Sequence, residues 1–389
     1  MLAFRLPETP PMETTPNNDF WESVPKLGFG LMRLPKLPGS SAIDLDQTAK
    51  MVDLFLDAGF TYFDTAYVYD DGGSEKAVKT TLVDRHPRDS FTLCTKLCAW
   101  LQCRDEASAK RQFFTSLDRT GAGFFDFYLL HAIQRNNASK YDDYRLWDFV
   151  RERKAEGLVR RWGFSFHGDP ALLESLLDAH PDVDFIQLQI NYADWDNPGV
   201  ASRACHRIAL DRGVPVVVME PVKGGALAHP PAAVRDVFRA ADPTASPASW
   251  ALRYAASLDG ILTVLSGMSS LSQMRDNIAT MRHFRPVSPA EADLFRRARA
   301  ALDADPAIPC TGCRYCTGGC PRSIPIPDIF AVKNDVARDP GWDGGRQRYA
   351  IATATGPKAS DCIACGRCEA ACPQHLPVVS LLRDCRAME

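Results

Sequence analysis

Eight of the thirteen cysteines in this 389-residue chain stand in two short runs of identical spacing. The first is Cys310, Cys313, Cys316 and Cys320, followed by Pro321; the second is Cys362, Cys365, Cys368 and Cys372, followed by Pro373. Both read C-x2-C-x2-C-x3-C-P, a spacing of thiolates that holds 4Fe–4S clusters. Three thiolates within seven residues reach three corners of one cube. The fourth, turned away beside a proline, reaches the other cube. The expected sets are Cys310, Cys313, Cys316 and Cys372 on one cluster, and Cys320, Cys362, Cys365 and Cys368 on the second. Structural zinc prefers paired ligands and is overfilled by such a run. Disulfides would require export, and MLAFRLPETPPMETTPNND at the N-terminus has no apolar core of a signal peptide. The reading therefore points to a reducing cytoplasm. Cys94, Cys98, Cys103, Cys205 and Cys385 read as small buried hydrophobes.

A second set of residues suits proton and hydride chemistry. Asp64, Tyr69, Lys96 and His131 follow one another through the first third of the chain. Together they can protonate a carbonyl oxygen while hydride reaches its carbon. A free tyrosine, with a pKa of about 10, is too weak an acid for this near neutrality. A nearby lysine is expected to lower it by favouring phenolate, with Asp64 holding Lys96 charged. His131 would orient or polarise the carbonyl.

These residues need a scaffold that brings distant segments to one place. Short apolar runs recur at Leu27–Met32, Phe60–Thr65, Ser90–Lys96, Asp126–His131, Leu158–Ser165, Asp184–Gln189, Val214–Met219 and Ile261–Ser266. Several are continuous stretches of Val, Ile, Leu and Phe, as strands buried on both faces require. Amphipathic patterns alternate with them near 44–58, 74–83, 106–118, 143–156, 171–179, 201–212, 247–258 and 271–284. Asp44 with Gln47 reads as a capping box and Gly59 as a stop. A last helix is expected from Pro289 to Leu302, started by Ser288 with Glu291. Eight such repeats predict a (β/α)8 barrel of the TIM type over 26–302, with chemistry at the C-terminal strand ends. Asp64, Lys96, His131 and Ser165 fall at those ends, and Gln187 lies in the sixth strand. A doubly wound sheet is disfavoured, because Gly28 and Gly30 have no third glycine at dinucleotide-fingerprint spacing. Residues 1–25 read as a loose tail, and 303–389 as a small, mostly helical, ferredoxin-like iron–sulfur domain.

On these residues the chain resembles the aldo-keto reductase superfamily. The segments are GFGLMRL (28–34), FDTAYVY (63–69) with Ser74-Glu75, TK (95–96), FYLLH (127–131), GFS (163–165), QLQIN (187–191), EPVKGG (220–225) and SGMSSLSQMRDN (266–277). The resemblance spans about 26–302. It implies a barrel that binds extended NADPH and a catalytic tetrad at Asp64, Tyr69, Lys96 and His131. It also implies Ser165 and Gln187 on the nicotinamide carboxamide, and Gly30 in the first-strand motif of the cofactor site. The Pro221–Leu227 loop, with Lys223 and Gly224, would face the pyrophosphate. Ser269, Ser270, Gln273 and Asn277 would face the adenosine. Phe166 and His167 follow the strand-five serine where many members have Asn. Gly267 and Gln273 stand where a 2′-phosphate is often gripped, with Arg275 or Arg282 as substitutes, so both NADP and NAD stay open. Trp100 and Trp195 are candidates for the substrate pocket. Ferredoxin-tailed members of this family exist, and the chain looks like one.

The net charge of −3 supplies no basic footprint for nucleic acid, and no uncharged apolar run is long enough to span a bilayer. The expected substrate is a small carbonyl or alcohol, with room for a redox partner protein. Nicotinamide transfers electrons in pairs and a cluster singly, so direct exchange between them calls for a flavin, for which the sequence carries no motif. The alternative is an electron-transfer or redox-sensing protein whose barrel binds nicotinamide or flavin without turnover.

Overall fold

The computed structural model describes residues 24–101, 103–339 and 344–389. The tail expected over 1–25 lies, up to residue 23, outside the described residues. Eight parallel strands close into a barrel in chain order. They are β1 (Leu27–Gly30), β2 (Tyr62–Asp64), β3 (Thr92–Leu97), β4 (Phe125–Ile133), β5 (Val159–Phe166), β6 (Phe185–Gln189), β7 (Val216–Met219) and β8 (Ile261–Ser266). Closure comes from β1 pairing with both β2 and β8. Each strand overlaps one of the expected runs. Most strand residues are buried, because helices cover the barrel outside and side chains such as Phe127, Phe185 and Val217 fill it inside.

The helices follow local chemistry. Asp44 Oδ1 accepts from Gln47 N at 2.9 Å and caps Leu45–Asp57; the Gln47 amide returns to that carboxylate at 3.4 Å, so the cap is one-sided rather than a reciprocal box. The expected 143–156 helix is Leu146–Ala155, preceded by a further short helix, Ala138–Asp143. They break at Arg145, which turns left-handed (φ 49°) and pairs with Glu106 at 2.8 Å. The last barrel helix is Ala292–Asp303, and the expected Ser288–Glu291 pair stands just ahead of it, Ser288 N donating to Glu291 Oε2 at 2.8 Å and Glu291 N to Ser288 Oγ at 3.3 Å. An additional helix, Ala232–Ala241, follows Pro230-Pro231 and buries Val234 and Phe238 against Trp250 and Phe295.

Beyond the barrel, helices Ile326–Arg338, Gly345–Ala352 and Val378–Cys385 enclose a separate apolar core that includes Ile329, Phe330, Tyr349 and Leu382. The module sits over the C-terminal mouth of the barrel. Arg33 Nη2 donates to Thr311 O at 2.7 Å, Lys223 Nζ to Gln374 Oε1 at 3.0 Å, and Asn136 Nδ2 to Ala370 O at 2.7 Å. At Gly224 (φ 64°) an added Cβ would lie 2.3 Å from Thr311 O, so only glycine admits this approach. Among the described residues no helix is long and apolar enough to cross a membrane.

Candidate active site

Asp64 ends β2, Lys96 is the penultimate residue of β3, and His131 lies near the end of β4. Adjacent parallel strands therefore deliver three of the four tetrad residues to one mouth. Lys96 Nζ, 1% exposed, donates to Asp64 Oδ1 at 2.5 Å and to Thr65 O at 2.6 Å. Tyr69 comes from the short turn after β2, its ring centroid 4.8 Å from Lys96 Nζ and 5.7 Å from the His131 ring. The β4 register slips after Leu130, where Ala132 adopts φ 55° and donates its N–H to Ser165 Oγ at 2.7 Å. That bulge sets the strand end carrying His131. The neighbouring Ser74 and Glu75 brace the site: Ser74 Oγ is 2.7 Å from Thr65 Oγ1, and buried Glu75 accepts from Thr95 Oγ1 at 2.7 Å and pairs with Arg119 at 3.1 Å.

Burial decides the protonation states. Desolvation, followed by the Asp64 carboxylate, pushes the Tyr69 phenol well above its ordinary value; the Tyr315 hydroxyl pulls the other way. The expected lowering by Lys96 is outweighed, because burial is the largest influence on the phenol and the Asp64 carboxylate the next. Burial, then Lys96, drives His131 well below its usual range and keeps it neutral. Burial raises Asp64, with Lys96 opposing. His167, half-buried, is lowered to about 4, chiefly by desolvation.

A cleft of about 220 Å³ opens beside the tetrad. Gly30, Asp64, Tyr69, Gln187, Pro221, Gly224, Ser269 and Gln273 line it, together with Cys313, Tyr315 and Pro373 of the module. Within its walls Gln187 Oε1, Asp64 Oδ2 and Glu220 Oε2 are buried without a hydrogen-bond partner. Buried orphan acceptors in a cleft are what a polar ligand would satisfy. Ser165 pairs in register with Gln187 across β5 and β6. Other expected contacts point elsewhere. Lys223 Nζ forms a buried ion pair with Asp194, which also accepts from Gln189 and Asn191. Asn277 donates to Ser266 Oγ at 2.7 Å, and Ser270 caps the Leu271–Arg282 helix. Trp100 packs beside Tyr315, ring centroids 5.5 Å apart. Trp195 lines a different cavity, with Arg203 and Leu210.

Sequence reasoning missed Arg33. Its backbone oxygen accepts from Ser269 Oγ at 2.6 Å, and its side chain passes Gly267 in the cleft wall. The signal was its place in GFGLMRL.

Two further cavities lie in the module. Cys310, Cys313, Cys316 and Cys372 surround one; Cys320, Cys362, Cys365 and Cys368 surround the other. Each set draws its fourth cysteine from the opposite run. All thirteen cysteines are free thiols. Among the described residues no three His, Cys, Asp or Glu side chains converge on a single-ion site.

A sequence model of the Aldo/keto reductase family matches residues 26–299, and the chain belongs to that family. A model of the 4Fe-4S dicluster domain matches residues 309–377. The chain is similar to the holo form of an aldo-keto reductase from Bacillus halodurans, at 25% identity and TM-score 0.57, covering 70% of this chain and 91% of that one. It is also similar to an aldo-keto reductase from Klebsiella pneumoniae in complex with NADPH, at 21% identity and TM-score 0.57, covering 71% and 92%. A Klebsiella pneumoniae complex with NADP and acetate matches at 22% identity and TM-score 0.58, with the same coverage. No curated protein matches the chain.

Proposed function

We propose that the chain reduces small carbonyl compounds, or oxidises the corresponding alcohols, with NADPH or NADH, and that its module holds two 4Fe–4S clusters. The observation that carries this reading is the cluster of Tyr69, Lys96, Asp64 and His131, of which Asp64 and Tyr69 line the cleft that also holds the unpartnered Gln187 oxygen. A nicotinamide bound there supplies hydride to the carbonyl carbon. Tyr69, kept protonated by burial, donates its proton to the oxygen as charge develops there. Lys96 offsets the phenolate left behind, and Asp64 holds Lys96 in place. Neutral His131 donates to the same oxygen through Nε2–H. Gln187 and Ser165 take the carboxamide. Gly30, Pro221, Gly224, Ser269 and Gln273 line the path onward, with Arg33 as the cation along it. Lys223, Ser270 and Asn277 support those walls through their internal partners.

The two cysteine cages fit cubes held crosswise, and a 4Fe–4S cube supplies one electron at a time. A reducing compartment suits this reading, since two 4Fe–4S clusters are oxygen-sensitive and none of the thirteen cysteines is in a disulfide. The boundary between 302 and 303 divides barrel from module. One observation favours a second reading: Cys313 lines the same cleft as Tyr69. A ligand in the barrel and the nearer cluster would then share a wall, as an electron-transfer protein with a redox partner requires. The test is anaerobic turnover of 4-nitrobenzaldehyde with NADPH by wild type and Tyr69→Phe. Loss of about 10²- to 10⁴-fold in the variant, with iron retained, supports the reductase reading. Full activity in the variant, or NADPH oxidation only with a viologen, overturns it.

A further inference from the structure

One side chain of the cysteine module enters the tetrad. The Tyr315 hydroxyl stands 3.2 Å from His131 Nε2, and Tyr315 lines the same cleft as Tyr69, whose phenol it draws down slightly against burial. Its ring meets the His131 ring edge-on, centroids 6.0 Å apart, and rests against Trp100.

The cysteine spacing does not require a tyrosine here. In the first run Arg314 turns left-handed (φ 64°) and Tyr315 follows; in the second, Gly366 makes the same turn (φ 71°) and Arg367 follows, exposed. The turn is common to both runs, but the residue after it is not. Arg314 carries a conformation that glycine adopts freely. Its guanidinium grips Asp328 through two bonds of 2.6 and 3.0 Å, which fixes the turn and aims Tyr315 at the barrel.

A carbonyl about to be protonated by Tyr69 must set its oxygen within hydrogen-bond distance of the Tyr69 hydroxyl and His131 Nε2. The Tyr315 hydroxyl already holds an oxygen at that point. We infer that Tyr315 is a displaceable occupant of the substrate-oxygen position, so that a carbonyl compound enters the tetrad only by moving this phenol and the turn between Cys313 and Cys316. This rests on the reductase reading above. The fraction of molecules with the phenol withdrawn scales the apparent affinity. The site therefore selects carbonyls that are unhindered and accept strong hydrogen bonds, aldehydes before bulky ketones. It also makes the module part of the substrate pocket rather than an appendage.

The test compares the cluster-loaded wild type with Tyr315→Phe, which keeps the ring against Trp100 and removes only the hydroxyl. Iron content and cluster absorbance report that the variant is intact, and Tyr315→Leu repeats the test without the ring. Two readouts are taken: KM for 4-nitrobenzaldehyde with NADPH, and calorimetric Kd for benzoate, a non-reacting oxyanion, with no turnover. Loss of one competing hydrogen bond is expected to lower both by about fivefold in Tyr315→Phe. If benzoate tightens but no variant reduces an aldehyde, displacement stands and the reductase reading falls. If aldehydes are reduced with equal KM and benzoate binds equally, displacement falls and the reductase reading stands. A lower kcat with KM and Kd unchanged also overturns displacement.

Discussion

Replacing Lys96 by methionine removes the ammonium that faces the Asp64 carboxyl. Asp64 Oδ1 then loses its 2.5 Å partner, and Oδ2 already has none. Both side chains are buried, Lys96 at 1% and Asp64 at 3% exposure, so water cannot replace the lost contact. Breaking such a buried pair costs about 3–5 kcal/mol. The carboxyl escapes part of this by holding a proton, which extends the upward shift that burial already imposes on it. A carboxyl whose folded pKa lies above its unfolded value of about 3.9 favours the fold fully below that value and loses the advantage as pH rises. While the folded variant keeps the proton, its stability falls by about 1.4 kcal/mol per pH unit above that value. The assay is the apparent melting temperature of anaerobic, cluster-loaded protein at a fixed scan rate from pH 5 to 8. At roughly 1–2 °C per kcal/mol for a chain of this size, Lys96→Met should melt about 4–8 °C below wild type at pH 8, with a smaller gap at pH 5. Adding Asp64→Leu should recover most of the loss, since replacing both members of a buried pair is nearly neutral. Equal melting of Lys96→Met and wild type across the range would refute the reasoning.

Three other outcomes follow from the site and the module. With Tyr69 held protonated and His131 held neutral, kcat/KM should change by less than about twofold between pH 6.5 and 8.5; a limb centred near 6.5 would show that His131 titrates. Gly224→Ala places a methyl group 2.3 Å from Thr311 O, so hydrogen exchange of residues 310–316 should quicken several-fold. Gly225→Ala, also left-handed but with open space around it, is the control, and equal exchange in both would assign the effect to backbone strain. Cys372→Ser and Cys365→Ser should each lower iron from about eight to about four per chain, with Cys372→Ser disturbing the cluster nearest Tyr315 and Cys365→Ser leaving it intact; the reverse pattern would undo the crossed ligand sets.

The barrel was legible because strands buried on both faces must be apolar throughout, and each of the eight runs marks a strand within a few residues. Asp64, Lys96 and His131 were legible because parallel strands in a barrel end at one mouth. Helix Ala232–Ala241 escaped notice because it interrupts the strand–helix alternation, although Val234 and Phe238 are spaced i, i+4. Tyr69's protonation was misjudged because sequence shows Lys96 but not the burial and the Asp64 charge that outweigh it. Arg33 was legible only through its place in GFGLMRL. Tyr315 could not be placed by local pattern, because it contacts a histidine 184 residues away. Cysteine spacing constrains the ligands and leaves the residues between them free. The ion pair of Lys223 was not legible in its glycine-rich loop, because its buried partner Asp194 lies 29 residues earlier.

The central claim is that carbon receives hydride while Tyr69 supplies the proton. Anaerobic turnover of 4-nitrobenzaldehyde with NADPH carrying two deuterium atoms at nicotinamide C4 tests it most directly. The account predicts one deuterium on the carbinol carbon of the alcohol and none on that carbon from deuterated solvent. An alcohol labelled at carbon from the solvent, with deuterium from NADPH washed out, would mean stepwise electron and proton delivery and would contradict it.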